Sequence, residues 1–413
     1  MNIAIVGAGI TGISTALELA RDGHQVTVYE QMNAAAEDAS FAPGGWLSPS
    51  AALSLSTPGA GMPLKLLQNA AGWVPNSAWP GSFNWRWLRQ WKRHEKQALK
   101  HCDHTLSVAL HTLSTYSQEL RWQDQVDTEL VAERKTGSMI VLRNAKELDF
   151  WGTHLDKLQA QGATCTLLET AQARTLEPGL GQDIAWTHAV HFPQGESINP
   201  RLWTHYLRAQ ALDMGVAIHT GHTIQAVHNQ PVGVRIAGQL HKHDAVVLCT
   251  GTHQSLLAQP TLPLMPVWGY SVTAPVRDAL LAPRNAIMDW QQQATISRMG
   301  QRVRISAGLE MGGNSTATHH APTVQRMYQL LNDWFPGGVQ LSSPQVQVWR
   351  GARGHLPDSL PAVGRTNQPG IWVNVAHGSH GASLAAGCAR ALADLIAGRK
   401  TALDMQAFDP QRF

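Results

Sequence analysis

Apolar and polar positions sort the chain into alternating strands and helices. Residues 2–6, Asn-Ile-Ala-Ile-Val, are a short apolar run, as in a buried parallel strand. Ile13, Ala16, Leu17 and Ala20 then recur at helical spacing. Gly23 ends that helix, with Arg21 at its negative end. A second apolar strand runs from Gln25 to Tyr29. This strand–helix–strand order predicts a parallel sheet with a right-handed crossover. Farther on, residues 83–125 read as helical, with Phe83, Trp87, Leu88 and Trp91 on one face and Arg86, Arg89, Lys92 and Arg93 around it. Strands are expected at 137–142 and 186–192, and a helix at 199–213 with Asn199 as cap and Pro200 in its first turn. A strand-rich block covers 216–250 and ends in a buried strand entering Thr250 and Gly251. Strands at 266–273 and 302–308 and a helix at 323–335 follow. The chain closes with a strand from Ile371 to Val375, a Gly/His loop at 376–381 and a helix over about 383–397. Only 40–63 is long and without period, which in a compact domain marks a functional or mobile segment.

The segment order predicts an α/β protein with a discontinuous Rossmann-like domain from 1–60, 195–260 and 345–413. The remainder, 61–194 and 261–344, forms a second α+β domain with a mixed or antiparallel sheet. A length of 413 residues fits two or three domains, and 43% hydrophobic with 15% charged residues excludes a disordered chain. A net charge of +3 is too small to argue for nucleic acid. Cys102, Cys165, Cys249 and Cys388 form no CxxC pair and read as reduced thiols. No apolar run reaches 18 residues, and the apolar start lacks a basic leader. A cytoplasmic location is expected, with contact to the cytoplasmic face of an inner membrane left open.

Four constellations carry chemistry. Gly7-Ala8-Gly9-Ile10-Thr11-Gly12 follows a strand and opens a helix. Gly7 permits the turn, Gly9 lets backbone approach a pyrophosphate, and Gly12 allows close helix–strand packing. Glu30 ends the next strand, where a carboxylate accepts hydrogen bonds from ribose hydroxyls and repels a 2′-phosphate. The motif itself leaves FAD and NAD open. The second constellation, Ser40 to Pro49, has small residues at 42–45 that let backbone lie against a flat ring. In the third, Trp349 to Asp358, an Arg among glycines at Arg353 can clamp a carboxylate; the alternative is a salt-bridged surface Arg. The fourth, His377-Gly378-Ser379-His380-Gly381, forms an amide nest before the last helix. Its two His lack a carboxylate or Cys partner nearby, so no metal is expected.

These segments, in this order, resemble the FAD-dependent D-amino-acid dehydrogenases (small subunit), within the group that holds glycine oxidase, sarcosine oxidase and D-amino-acid oxidase. The likeness runs nearly end to end. Besides the four segments it rests on Pro58-Gly59, Met62 to Lys65, Pro266 to Thr273, and Arg302 to Arg304 leading to Gly308 and Glu310. The resemblance implies a cofactor site of Gly7, Gly9, Ile10, Thr11, Gly12, Glu30, Gln31, Ser40, Phe41, Ala42, Gly45, Trp46 and Leu47. Ile224, at the centre of a later strand, would meet the adenine end, and Thr250 and Gly251 would close over the nucleotide. His377, Gly378, Ser379, His380, Gly381, Ala382 and Ser383 would hold the flavin's pyrimidine edge. Arg353 would bind the substrate carboxylate, with Tyr270 as pocket wall or hydroxyl donor. His380, with His355 and His377, is a candidate base. Pro43, Trp268, Gly354 and the Gly-Ser-His-Gly loop depart from the dehydrogenases' usual residues. Gly351 stands where sarcosine oxidases carry the flavin-linked Cys, so the FAD is expected to be non-covalent. The expected reaction is oxidative deamination of D-amino acids by hydride transfer from Cα, with electrons passed to a quinone or respiratory-chain acceptor. Alternatives are an oxidase for glycine, sarcosine or a cyclic imino acid such as hydroxyproline or proline, and a flavin-binding protein without turnover. The basic, Trp-rich segment 83–96 suggests either membrane contact or a helix packed on the second domain; Trp at helical spacing favours the packed helix.

Overall fold

A computed structural model describes residues 1–48, 85–101, 105–123, 127–160, 162–253, 255–256, 262–311 and 319–413. Phe83, Cys102, Pro58-Gly59, Met62 to Lys65, most of the 40–63 segment and the side chain of Arg86 lie outside the described residues.

The N-terminal pattern folds as its periodicity requires. Strand Asn2–Val6 enters the tight turn, helix Ile10–Arg21 follows, and strand Gln25–Tyr29 returns parallel to the first. Gly7 has φ of +107°, and a Cβ there would stand 2.5 Å from the Cys249 carbonyl. A Cβ on Gly12 would stand 1.9 Å from the Gly7 carbonyl, so the helix reaches the strand end only because both residues are glycine.

This unit is the centre of a six-stranded sheet. Its order is Ala362–Arg365, Ile371–Val375, Ala245–Leu248, Asn2–Val6, Gln25–Tyr29 and Ala217–His219. All neighbours pair parallel except the Ala362–Arg365 edge. Helices Ile10–Arg21, Pro200–Asp213 and Gly381–Ile396 cover one face, in a core that includes Ile3, Ile5, Ile13, Leu207 and Leu392. The other face packs Val246, Leu248 and Val373 against Val234 and Ile236 of a three-stranded antiparallel sheet. Asn199 and Pro200 begin their helix as expected, Asn199 accepting from the Leu202 amide.

A second sheet runs Gln347–His355, Met265–Pro275, Arg302–Met311, Ala294–Met299, Ala286–Asp289, Lys135–Leu142, His188–Ser197 and Trp46–Leu47, with Thr166–Glu169 added beside His188–Ser197. Its ladders are antiparallel apart from Ala286–Asp289 against Lys135–Leu142. The mixed sheet expected of the second domain is therefore present. Strand Gln347–His355 belongs to it, although its residues fall in the segment assigned to the Rossmann-like domain. Strand Gln347–His355 and helix Ala145–Ala160 are elements that the apolar pattern does not predict.

The stretch read as helical over 83–125 is two helices where described, Trp85–His101 and Thr105–Gln123. Trp87 and Trp91 are fully buried against Met265, Val267 and Met311, while Trp85, Arg89, Lys92 and Arg93 are exposed. The Trp face is thus a packing face. None of the described helices is long and apolar enough to cross a membrane.

Candidate active site

A cavity of about 430 Å³ lies at the carboxyl ends of the parallel strands, where ligands of open α/β sheets bind. It passes from Glu30 and the glycine turn, along Pro43 to Trp46, to the second sheet at Met288, Thr295 and Ser306, and to Arg353.

At the nucleotide end, helix Ile10–Arg21 has no side-chain cap at Gly9. Its Ile10 amide donates to Ser40 Oγ at 3.0 Å, and the remaining first-turn amides and the helix dipole offer an anion site. Glu30 is buried; its two oxygens accept from the amides of Ala8 (2.6 Å) and Met32 (2.8 Å), which fixes the carboxylate beside the turn. Gln31 pairs with His253 at 3.2 Å. Burial raises the Asp38 carboxyl above its ordinary value.

The small residues at 43–45 lie on the second sheet. Arg304 Nη1 donates to the Pro43 carbonyl (3.0 Å), and Ser297 Oγ donates to the Gly44 carbonyl (2.9 Å). A Cβ on Gly44 would stand 2.6 Å from Thr295 Oγ1. Arg304 is buried, and burial pushes its guanidinium down to about 10, so it stays charged at neutral pH.

Arg353 lies on strand Gln347–His355, opposite Val267. Its side chain crosses Gly269, where the ladder to Arg302–Met311 is bulged; a Cβ on Gly269 would stand 1.9 Å from Arg353 Nη2. Arg353 Nη1 donates to Ser379 Oγ at 3.1 Å. Among the described residues it has no carboxylate within ion-pair distance. Burial pushes it down to about 10, which leaves a charged guanidinium in the cavity wall to bind an anion. The neighbouring Arg350 differs: it pairs with Glu310 at 2.9 Å and stacks over Trp268 at 3.9 Å.

His355 shares the strand face of Arg353 by the two-residue period. It is buried against Gly378, with no hydrogen bond to either ring nitrogen among the described residues. Burial, with Arg353 and His380 adding repulsion, pushes it down to about 3. His377 donates from Nε2 to Asn374 Oδ1 at 3.0 Å, and burial pushes it down to about 4. Both imidazoles are neutral near pH 7, and neither fits the role of a base that holds a proton there. The loop runs into helix Gly381–Ile396, whose start also lacks a side-chain cap. Two helix starts therefore converge on the cavity.

Of the positions named from sequence, Gly7, Gly9, Ile10, Thr11, Glu30, Gln31, Ser40, Gly45, Trp46, Ile224, Thr250, Gly251, His377, Gly378, Ser379, His380, Gly381, Ala382 and Arg353 line the cavity. Gly12, Phe41, Ala42, Leu47 and Ser383 stand behind the lining. Gly12 packs on Gly7, Phe41 lies under Arg201 at 4.3 Å, Leu47 is core, and Ser383 Oγ meets the Trp46 carbonyl at 3.4 Å. Ile224 opens its strand rather than occupying its centre. Tyr270 is not brought to the cavity lining: it is buried, and its hydroxyl donates to Glu310 at 2.9 Å. Sequence reading missed Asp38, Met288, Trp290, Thr295 and Ser306 as lining residues. Alternation along Ala294–Met299 and Arg302–Met311 was the available signal, but which face met the cavity depended on distant pairing.

A parallel sheet with a glycine turn, an acidic residue at the next strand end and a cavity shared with a mixed sheet define a dinucleotide-dependent oxidoreductase. The chain belongs to the DAO family of FAD dependent oxidoreductases, which matches residues 2–395. It is 31% identical over 418 residues to a D-amino acid dehydrogenase of Methylobacterium radiotolerans, covering 97% of this chain and 96% of the relative. A D-amino acid dehydrogenase of Cereibacter sphaeroides is 32% identical over 426 residues, covering 100% and 95%. The fold matches glycine oxidase from Geobacillus kaustophilus with a TM-score of 0.73 at 20% identity, covering 100% of this chain and 98% of that one. The cofactor of the family is FAD, and the cavity suits it: two helix starts in the lining for its electron-rich groups, a fixed carboxylate at the nucleotide end and a pinned backbone segment at 43–45.

Proposed function

We propose that this chain oxidises D-amino acids to imino acids, which water hydrolyses to 2-oxo acids and ammonia, and that a quinone or other non-oxygen acceptor takes the electrons. FAD supplies the acceptor for the hydride that leaves Cα. Its binding set is the lining of Gly7, Gly9, Ile10, Thr11, Glu30, Ser40, Gly45, Trp46, Ile224, Thr250 and the 377–382 loop, held non-covalently as the resemblance implies. Arg353 is the observation that carries the proposal: a charged, half-buried guanidinium in the cavity lining, with no carboxylate partner among the described residues, beside the loop from His377. It binds the substrate carboxylate and orients Cα, so that rate comes from positioning more than from a strong base. Because burial holds His355 and His377 neutral, neither takes a proton from the substrate ammonium, and His380 in the cavity lining is the remaining histidine candidate for that proton. The two relatives at 31% and 32% identity, both named D-amino acid dehydrogenase, support the D configuration and the non-oxygen acceptor.

The test is an anaerobic absorbance spectrum of the purified protein, before and after D- and L-amino acids. Bleaching by D-amino acids supports the proposal, and admitting air then scores peroxide. Rapid peroxide release would favour an oxidase of glycine, sarcosine or a cyclic imino acid. A flavin bleached by no amino acid would sink the substrate class and favour a flavin-binding protein without turnover.

A further inference from the structure

We propose that Thr15 and Asn374 are positioning residues: they hold His377 in a single tautomer and tie the loop at the flavin end to the helix at the phosphate end. The inference rests on assigning this cavity to FAD.

The argument follows the protons. Thr15 lies one turn inside helix Ile10–Arg21, with no exposed surface. Its hydroxyl donates to the Thr11 carbonyl at 2.7 Å. That spends its only proton, so Thr15 Oγ1 can act toward Asn374 only as acceptor. Asn374 Nδ2 donates to it at 3.0 Å. The Asn374 amide is thereby oriented with Oδ1 toward the loop, where it stands 3.0 Å from His377 Nε2. A carbonyl oxygen can only accept, so Nε2 carries the proton. Nδ1 is then the lone-pair nitrogen of a neutral ring. Burial alone holds the ring uncharged, as its depressed value of about 4 indicates.

The chain of bonds spans the two ends of the site. Thr11 lines the cavity at the glycine turn, and His377 lines it at the far loop. Asn374 is fully buried on strand Ile371–Val375, between them. The Thr15–Asn374 and Asn374–His377 bonds are buried and the Thr15–Thr11 bond partly so, so water cannot replace a partner lost at Asn374 at low cost. A change at Thr15, which does not line the cavity, should therefore be felt at His377.

The experiment uses the FAD-loaded enzyme labelled with ¹⁵N-histidine, with the His377 signals assigned by His377→Asn. Between pH 5 and 8 the ring should give one neutral form, protonated on Nε2 and not titrating. Thr15→Ser should keep that spectrum. Thr15→Val should lose it and weaken FAD retention roughly ten-fold or more, as loss of a buried polar partner does. An Nδ1-protonated or titrating His377 in the wild-type enzyme overturns the proposal. So does a Thr15→Val enzyme with unchanged tautomer and FAD retention. If Thr15→Val does not fold, the wild-type spectrum still decides. Neither readout uses amino-acid turnover, so a failure here is distinct from a failure of the substrate reading.

Discussion

Arg353 works through the space that glycine leaves it. Removing its charge by Arg353→Ala should weaken D-amino-acid affinity roughly ten- to hundred-fold, the range of a charge-assisted pair. The readout is substrate titration of the flavin spectrum, and unchanged affinity would remove Arg353 from the site. Gly269→Ala keeps the guanidinium but puts a methyl 1.9 Å from Nη2, against which the side chain must move. It should lower kcat/KM at least ten-fold while FAD stays bound, since reaction rates are sensitive to misplacement of about 1 Å. The buried imidazoles set a pH dependence of another kind. His355 and His377 stand at about 3 and about 4 in the fold, below the ordinary value near 6.5. Below about pH 6.5 the unfolded chain binds protons that the folded chain refuses, so stability present above that pH is lost as pH falls toward these folded values. From pH 7 to pH 5 each imidazole should cost about 2 kcal/mol. Thermal midpoints across that range should fall less steeply for His355→Met than for the parent; parallel curves would show that His355 is not neutral in the fold.

At the scale of elements, helix Trp85–His101 supports the substrate side. Trp87 and Trp91 are fully buried, and Trp87 Nε1 donates to the His355 carbonyl at 3.0 Å, two residues from Arg353. Truncating Trp87 to Ala should cost about 3–5 kcal/mol by thermal denaturation. Neutralising exposed Arg89, Lys92 and Arg93 should change stability by under about 0.5 kcal/mol. If the same neutralisation released the protein from sedimenting membranes, it would assign the exposed basic face to a membrane surface. The helix was legible because an apolar face at 3.6-residue spacing is local information. So was the first strand–helix–strand unit, where Gly7, Gly12 and Glu30 lie close in sequence. Strand Gln347–His355 was not, because Gly351 and Gly354 read as loop punctuation. Its pairing partner, Met265–Pro275, lies about eighty residues earlier. A separation of 40 residues hid Tyr270 in the same way: its motif placed it on a strand, but only the pairing with Arg302–Met311 turned its hydroxyl to Glu310 instead of the cavity.

For the whole molecule, the cavity marks where the chain passes between its two larger sheets. Pro43 to Trp46 lead from the six-stranded sheet into the nine-stranded one, Thr250 and Gly251 lead out of the parallel sheet, and Arg353 to Ser359 lead back toward Ala362–Arg365. Each crossing contributes lining, so a cofactor there touches both sheets and is held only when both are folded. Binding to the folded state alone adds RT ln(1 + [FAD]/Kd), about 2.7 kcal/mol at a hundred-fold excess over Kd. FAD stripped from the purified protein should therefore lower its thermal midpoint, and added FAD should restore it in a concentration-dependent way. Calorimetry separates two outcomes. A single transition that moves with FAD means that the sheets unfold together around the cofactor. A midpoint indifferent to FAD would mean that the cavity is not where the cofactor binds, and would overturn the site and the mechanism built on Arg353.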